Sequence, residues 1–143
     1  MTGFFSKLQI FLNSRKIFKN WYIYPKIYYG LTNIKFPIFE TNSGLKIKLR
    51  KNSTDLMALT HVWLIGEYKR KNFEINEGDV IIDVGGHIGL FSLYATQFCK
   101  NGQIFTYDIN TNTNYNSIAE SLIDLKGMRT ISSFLFKELS KIS

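Results

Sequence analysis

A single cysteine, Cys99, stands among the 143 residues, so no disulfide closes within the chain and no thiolate cluster gathers a metal. No metal site is expected, and so little cysteine suits a reducing compartment. Long hydrophobic runs are missing too, for no stretch approaches the ~20 uninterrupted apolar residues of a membrane span. The N-terminus lacks the pattern of a secretory leader: Lys7 interrupts the first apolar run and no small-residue cleavage site follows. Asn52-Ser53-Thr54 matches a glycosylation sequon, but three residues match cheaply and nothing else points to secretion. A cytoplasmic protein is the expectation. Acidic residues are the other scarcity, 11 against 18 lysines and arginines, for a net charge of +7. The deficit is uneven. Residues 1–75 hold 13 basic side chains against 4 acidic ones, and the remainder 5 against 7. A basic flank attracts nucleic acid or acidic lipid headgroups, or is simply a solvated lysine-rich surface. The solvated surface is the plainer reading, and no nucleic-acid partner is expected.

Aromatic residues are plentiful at 15%, and many crowd into the first forty positions. Phe4, Leu8, Phe11, Leu12 and Phe18 recur at three- and four-residue intervals, which predicts a helix over Phe4–Asn20 with Lys7, Arg15, Lys16 and Lys19 at other positions. Such a basic amphipathic helix either caps a domain or rests on a membrane surface, so peripheral membrane contact stays open. Trp21–Gly30 continues the aromatic run, and Pro25 is expected to kink or end the helix. Phe36–Glu40 and Leu45–Leu49 read as two strands of a β-hairpin. Lys46, Lys48 and Arg50 alternate there with Leu45, Ile47 and Leu49, and Thr41-Asn42-Ser43-Gly44 supplies the turn. Asn52-Ser53-Thr54-Asp55 offers N-caps for a further helix with the apolar stripe Leu56, Leu59, Val62, Trp63 and Ile65. These signals divide the chain into a helical aromatic and basic region at 1–34, a hairpin and lead-in helix at 35–76, and a nucleotide-binding unit at 77–143.

That last unit opens on a polar turn, Glu77-Gly78-Asp79, and then Val80-Ile81-Ile82, a β-branched run suited to a parallel strand buried on both faces. Asp83-Val84-Gly85-Gly86-His87-Ile88-Gly89 follows at once, and from Ile88 onward the spacing turns helical, to about Phe98. Strand, glycine-rich turn and helix form the geometry that binds a nucleotide-like ligand at the carboxyl end of a strand. Gly85 and Gly89 open backbone angles and a close approach, and Gly86 adds room. Asp83 is placed to receive a cationic amine or a backbone donor. Gln103–Tyr107 reads as the next strand, parallel to the first. Asp108 at its end lies 25 residues beyond Asp83, where an acid accepts ribose hydroxyls. Nicotinamide dinucleotide binding is the nearest rival, but its G-x-G-x-x-G fingerprint needs glycine at Val84.

The segment Gly78–Ser92 resembles the signature GDVVIDVGANIGLFS of the FkbM family of S-adenosylmethionine-dependent methyltransferases. Asp55 through Gly66-Glu67-Tyr68 is similar to that family's lead-in helix and its Gly-Glu-Tyr turn, and Phe105–Asn110 resembles its AFEPN. The likeness covers roughly residues 35–120. Three departures from it matter: Gly86-His87 stands for Ala-Asn, Asp108 for Glu, and Ile109 for proline. The resemblance implies an α/β fold with a Rossmann-like, class I methyltransferase parallel sheet, preceded here by the helical region and the hairpin. It implies S-adenosylmethionine as cofactor, held by Asp83, Gly85, Gly86, His87, Gly89, Asp108 and Asn110. It also implies O-methylation of a sugar or another small-molecule acceptor. His87 reads as a loop residue near the cofactor, not a general base, and no catalytic residue is identified. A helix over Asn114–Leu125, a stop at Lys126-Gly127, and an apolar Met128–Leu135 that suits a third strand are expected next, with Phe134–Ile142 open to helix. The later strands of a seven-stranded sheet are not in the sequence. The expectation is therefore an incomplete sheet in the N-terminal portion of a family member, weakly active or inactive alone, or completed by a partner chain. A non-catalytic remnant binding a membrane surface or another chain through its basic aromatic region is the alternative.

Overall fold

The computed structural model describes residues 4–69, 71 and 74–107, and the chain divides into two compact units, Met1–Lys69 and Arg70–Ser143. Asp108, Asn110, the helix expected over Asn114–Leu125 and everything expected after it lie outside the described residues. The fold is mixed α/β, with short helices and two small sheets, one of them parallel.

In the first unit α1 (Phe4–Ile17) stops three residues short of the expected end. The reason is tertiary. Phe18 leaves the helix to bridge Thr41, the Lys19 amide donates to the Glu40 carbonyl at 2.8 Å, and the Asn42 amide donates to the Ile17 carbonyl at 2.9 Å. The chain end of α1 thus joins the edge of the hairpin formed by β1 (Ile38–Glu40) and β2 (Lys46–Lys48). Asn20 extends the seam, donating through Nδ2 to the Ile38 carbonyl and accepting at Oδ1 from the Glu40 amide. Pro25 does not break α1. It sits in the first turn of a separate helix, α2 (Ile23–Tyr28), where the amide it lacks would have had no partner within the helix.

The strand alternation holds: Ile47 and Leu49 are buried, Lys46 and Lys48 exposed, with Phe39 paired to Ile47 across the hairpin. Phe18, Tyr24, Phe39, Leu59 and Trp63 form an aromatic-rich core, with the Phe18 ring 5.1 Å from Phe39 and 6.1 Å from Trp63. Tyr24 needs an outlet for its hydroxyl in that setting. Thr60 Oγ1 gives its proton to the Leu56 carbonyl, so Tyr24 is the donor in the 2.7 Å bond between the two hydroxyls.

The lead-in helix α3 (Asp55–Leu59) runs on as a π-helical turn over Thr60–Ile65, closed by Gly66 in the left-handed region at φ +73. The Gly66 amide donates to the His61 carbonyl, five residues back. The widened turn brings Val62, Trp63 and Leu64 inward together and turns Ile65 out, 53% exposed, although the apolar spacing had placed Ile65 in the buried stripe. The Leu64 carbonyl accepts from Asn13 Nδ2 at 2.7 Å. At the front of α3, fully buried Asp55 takes a forked bond from the Arg50 guanidinium, Nε at 3.0 Å and Nη2 at 2.8 Å, and a third from the Arg50 amide at 2.8 Å. Burial pushes the Asp55 carboxyl up, but the bonds from Arg50 and Ser53 outweigh it and hold the group below the ordinary aspartate range.

The second unit contributes β3 (Val80–Val84), α4 (Leu90–Ala95) and β4 (Gln103–Tyr107). The strands pair in parallel, as the sequence predicts, and the structure sets the register, with Val80 opposite Gln103 through Val84 opposite Tyr107. The helix ends at Ala95, with single turns carrying the chain through Phe98. Leu90, Leu93, Tyr94 and Ala95 are buried. β3 departs from its expected burial on both faces: Val80, Ile82 and Val84 are 66%, 64% and 76% exposed, while Asp83 is buried. Among the described residues of this unit α4 is the one helix packed on the pair, and a single helix shields a single face. The Cys99 thiol donates to the Asp79 carbonyl, which also receives the Gln103 amide, pinning the start of β3 to the start of β4.

Candidate functional site

The loop between β3 and α4 turns left-handed three times in five residues, at Gly85 (φ +79), His87 (φ +52) and Gly89 (φ +76). Asn and His are both enriched in that region, so His87 occupies a backbone position that an asparagine also suits. The ring is half-buried, and the backbone shape accounts for the residue type without any proton-transfer role.

The glycines differ from one another in what surrounds them. A side chain at Gly85 would meet no protein atom within 4 Å, and Gly85 is the exposed crest of the loop. Gly86 is buried, and a Cβ there would fall 2.2 Å from Thr106 Cγ2 and 3.1 Å from Asp83 Oδ2. The room expected at Gly86 is therefore filled by the protein itself. Gly89 caps α4, and its amide donates to the Gly86 carbonyl at 2.6 Å, closing the loop on itself.

Beneath the loop three polar side chains from three elements meet. Asp83 and Thr106 are partners in the strand register, and Ser92 reaches them from α4. Ser92 Oγ donates to Asp83 Oδ2 at 2.7 Å. Its one proton is thereby used, so Thr106 Oγ1 is the donor in its short contact with Ser92 Oγ. The order Thr106 to Ser92 to Asp83 fixes the ends of both strands to the helix under the glycine turn. Asp83, read from the sequence as open to a cationic amine or a backbone donor, is buried and accepts the Ser92 hydroxyl.

Sequence reasoning named Asp83 but not its two hydroxyl partners. The signal was present as a serine inside the apolar helix Leu90–Ala95 and a threonine one residue before the end of β4. Of the seven residues expected around a cofactor, the structure brings Asp83, Gly85, Gly86, His87 and Gly89 to one end of the parallel pair. Asp108 and Asn110, outside the described residues, follow β4 directly in sequence. No group of His, Cys, Asp or Glu suited to hold a metal occurs among the described residues. No family model, curated protein or solved structure matches this chain.

Proposed function

We propose that the second unit binds S-adenosylmethionine at the carboxyl end of β3 and serves methyl transfer to an oxygen of a sugar or another small molecule. The observation that carries the cofactor half of this reading is the left-handed crest at Gly85, placed where the parallel pair ends, one residue beyond the partners Val84 and Tyr107. A ligand in that position reaches the main chain without meeting a side chain. The polar floor of Asp83, Ser92 and Thr106 holds the loop in that shape. The acceptor class rests on the FkbM resemblance alone.

The cofactor would supply an electrophilic methyl group on a sulfonium. This chain's residues would hold it: the Gly85 backbone by close approach, and Asp108 as acceptor for the two ribose hydroxyls. Calorimetry with S-adenosylmethionine and S-adenosylhomocysteine tests the reading. Binding by the native chain, loss with Gly85→Val and a drop of about 10- to 150-fold with Asp108→Ala, the worth of hydrogen bonds to a charged acceptor, are expected. Affinity unchanged in both variants overturns it.

A further inference from the structure

The outer face of α1 and α2 in the first unit answers a different question from the glycine loop. Leu8, Leu12 and Arg15 follow each other at helical spacing and lie along one stripe of α1. Both leucines are nearly half exposed, at 44% and 46%. Arg15 lies 5.8 Å over the Trp21 ring, Lys26 5.4 Å over Tyr22, and Lys7 5.9 Å over Tyr28. Phe11 joins the two helices, its ring 6.0 Å from both Tyr28 and Tyr29. Trp21, Tyr22, Tyr28 and Tyr29 are all exposed. The result is one continuous face on which aliphatic side chains, amphipathic rings and cations alternate.

The acids of this unit are engaged elsewhere. Residues 1–69 contain Glu40, Asp55 and Glu67 as their acidic side chains, against 11 lysines and arginines. Glu40 pairs with Lys19, Asp55 with Arg50, and Glu67 accepts from the His61 ring. None of them stands over the leucine and tyrosine face to neutralise Lys7, Arg15 or Lys26.

We propose that this face docks on an anionic phospholipid bilayer, with Leu8, Leu12 and Trp21 entering the headgroup boundary and Lys7, Arg15 and Lys26 meeting phosphate and carboxylate. Tryptophan, tyrosine and lysine together suit the interface between water and hydrocarbon, where a ring keeps one side apolar and one wet. Two observations favour lipid over single-stranded nucleic acid. Three of the four exposed rings already carry one of the protein's own cations over a face, which leaves Tyr29 as the one ring of the patch without such a cover for a base to stack on. Exposed leucines, in turn, gain from hydrocarbon and nothing from a phosphate backbone. The proposal is independent of methyl transfer and stands or falls with this face.

The whole chain is mixed with vesicles of phosphatidylcholine, with and without about 30% phosphatidylserine, and followed by co-sedimentation and tryptophan emission. Trp63 is buried at 2% exposure, so a blue shift on binding reports Trp21. Expected are binding to the anionic vesicles, a blue shift that vanishes in Trp21→Phe, and release by about 0.5 M salt. Lys7→Gln with Lys26→Gln should weaken binding roughly 25-fold, at about fivefold per cation. Leu8→Gln with Leu12→Gln, both at exposed positions, should weaken it about tenfold or more while leaving the circular dichroism unchanged. Equal affinity for neutral and anionic vesicles, undiminished binding by the leucine variant, or displacement by a micromolar single-stranded oligonucleotide overturns the proposal.

Discussion

Each unit of this protein buries an aspartate at the end of a secondary-structure element, and the two are held differently. Asp55, at the start of α3, meets a cation: the Arg50 guanidinium grips it with two bonds and the Arg50 amide adds a third. Asp83, near the end of β3, takes the Ser92 hydroxyl, which in turn takes the Thr106 hydroxyl. The first arrangement sits beside a dense aromatic core and locks the hairpin to the helix that follows it. The second sits under a glycine loop, in a sheet whose other face exposes three β-branched side chains. Charge pairing in the first unit serves packing, while the hydroxyl chain in the second shapes a surface loop.

The largest test of that contrast sets Trp63→Ala against Ile82→Thr. Trp63 is 2% exposed and in ring contact with Phe18, so its truncation should cost about 3–5 kcal/mol in urea unfolding. Ile82 is 64% exposed, and a β-branched replacement keeps its strand preference, so stability should change by less than about 0.5 kcal/mol. Comparable losses in the two variants would mean that the outer face of β3 is covered in solution, and the contrast would break.

Next in size is Arg50→Met, which strands a buried carboxylate. Breaking such a pair costs about 3–5 kcal/mol when both partners are buried; with the Arg50 side chain 36% exposed, about 2–3 kcal/mol is expected at neutral pH. The pH dependence carries the sign. Asp55's folded pKa lies below its unfolded one, so its contribution is present above the ordinary aspartate range and is lost as pH falls through the folded value. Without the guanidinium, burial, the largest influence on this carboxyl, is opposed only by the residue-50 amide and Ser53; the folded pKa rises, and the variant should gain stability relative to the native chain as pH falls from 7 toward 4 (about the unfolded aspartate value). Parallel pH profiles for the two proteins would show that the guanidinium does not govern Asp55.

Much of this architecture was legible because local patterns decide it. The alternation Leu45–Arg50 gave the hairpin and its buried side, and the apolar run, glycine turn and second strand gave the parallel pair, though not its register. What escaped depended on neighbours distant in sequence. α1 ends at Ile17 because the hairpin edge at Glu40 and Asn42 captures the next residues, and no local breaker marks that point. The π-helical turn that sends Ile65 outward breaks the very spacing from which a stripe is read. β-branched Val80, Ile82 and Val84 signal a strand, but the residue types do not say how many faces are covered. At the glycine loop the sequence marks which residues gather, yet not that Asp83 faces inward or that Gly86 is closed. Those facts belong to Ser92 and Thr106, 9 and 23 residues from Asp83.

The closed side of Gly86 yields the smallest prediction and the finest one. Gly86 has no left-handed backbone, so an alanine is excluded there by space alone. The atom in the way is the Thr106 methyl, at 2.2 Å from the alanine's Cβ position. Gly86→Ala alone should then destabilise by about 1–3 kcal/mol through overpacking. Thr106→Ala alone removes one donor from Ser92 and should cost about 1 kcal/mol. The double variant should cost no more than Thr106→Ala by itself, because the clash is gone and alanine narrows the unfolded ensemble by about 0.4–1 kcal/mol relative to glycine. A coupling energy of about 1–3 kcal/mol in this cycle, measured by denaturant unfolding, is the expected outcome. Simple additivity would show that the Thr106 methyl is not what closes Gly86, and that the side chain at 106 does not hold the glycine turn in place.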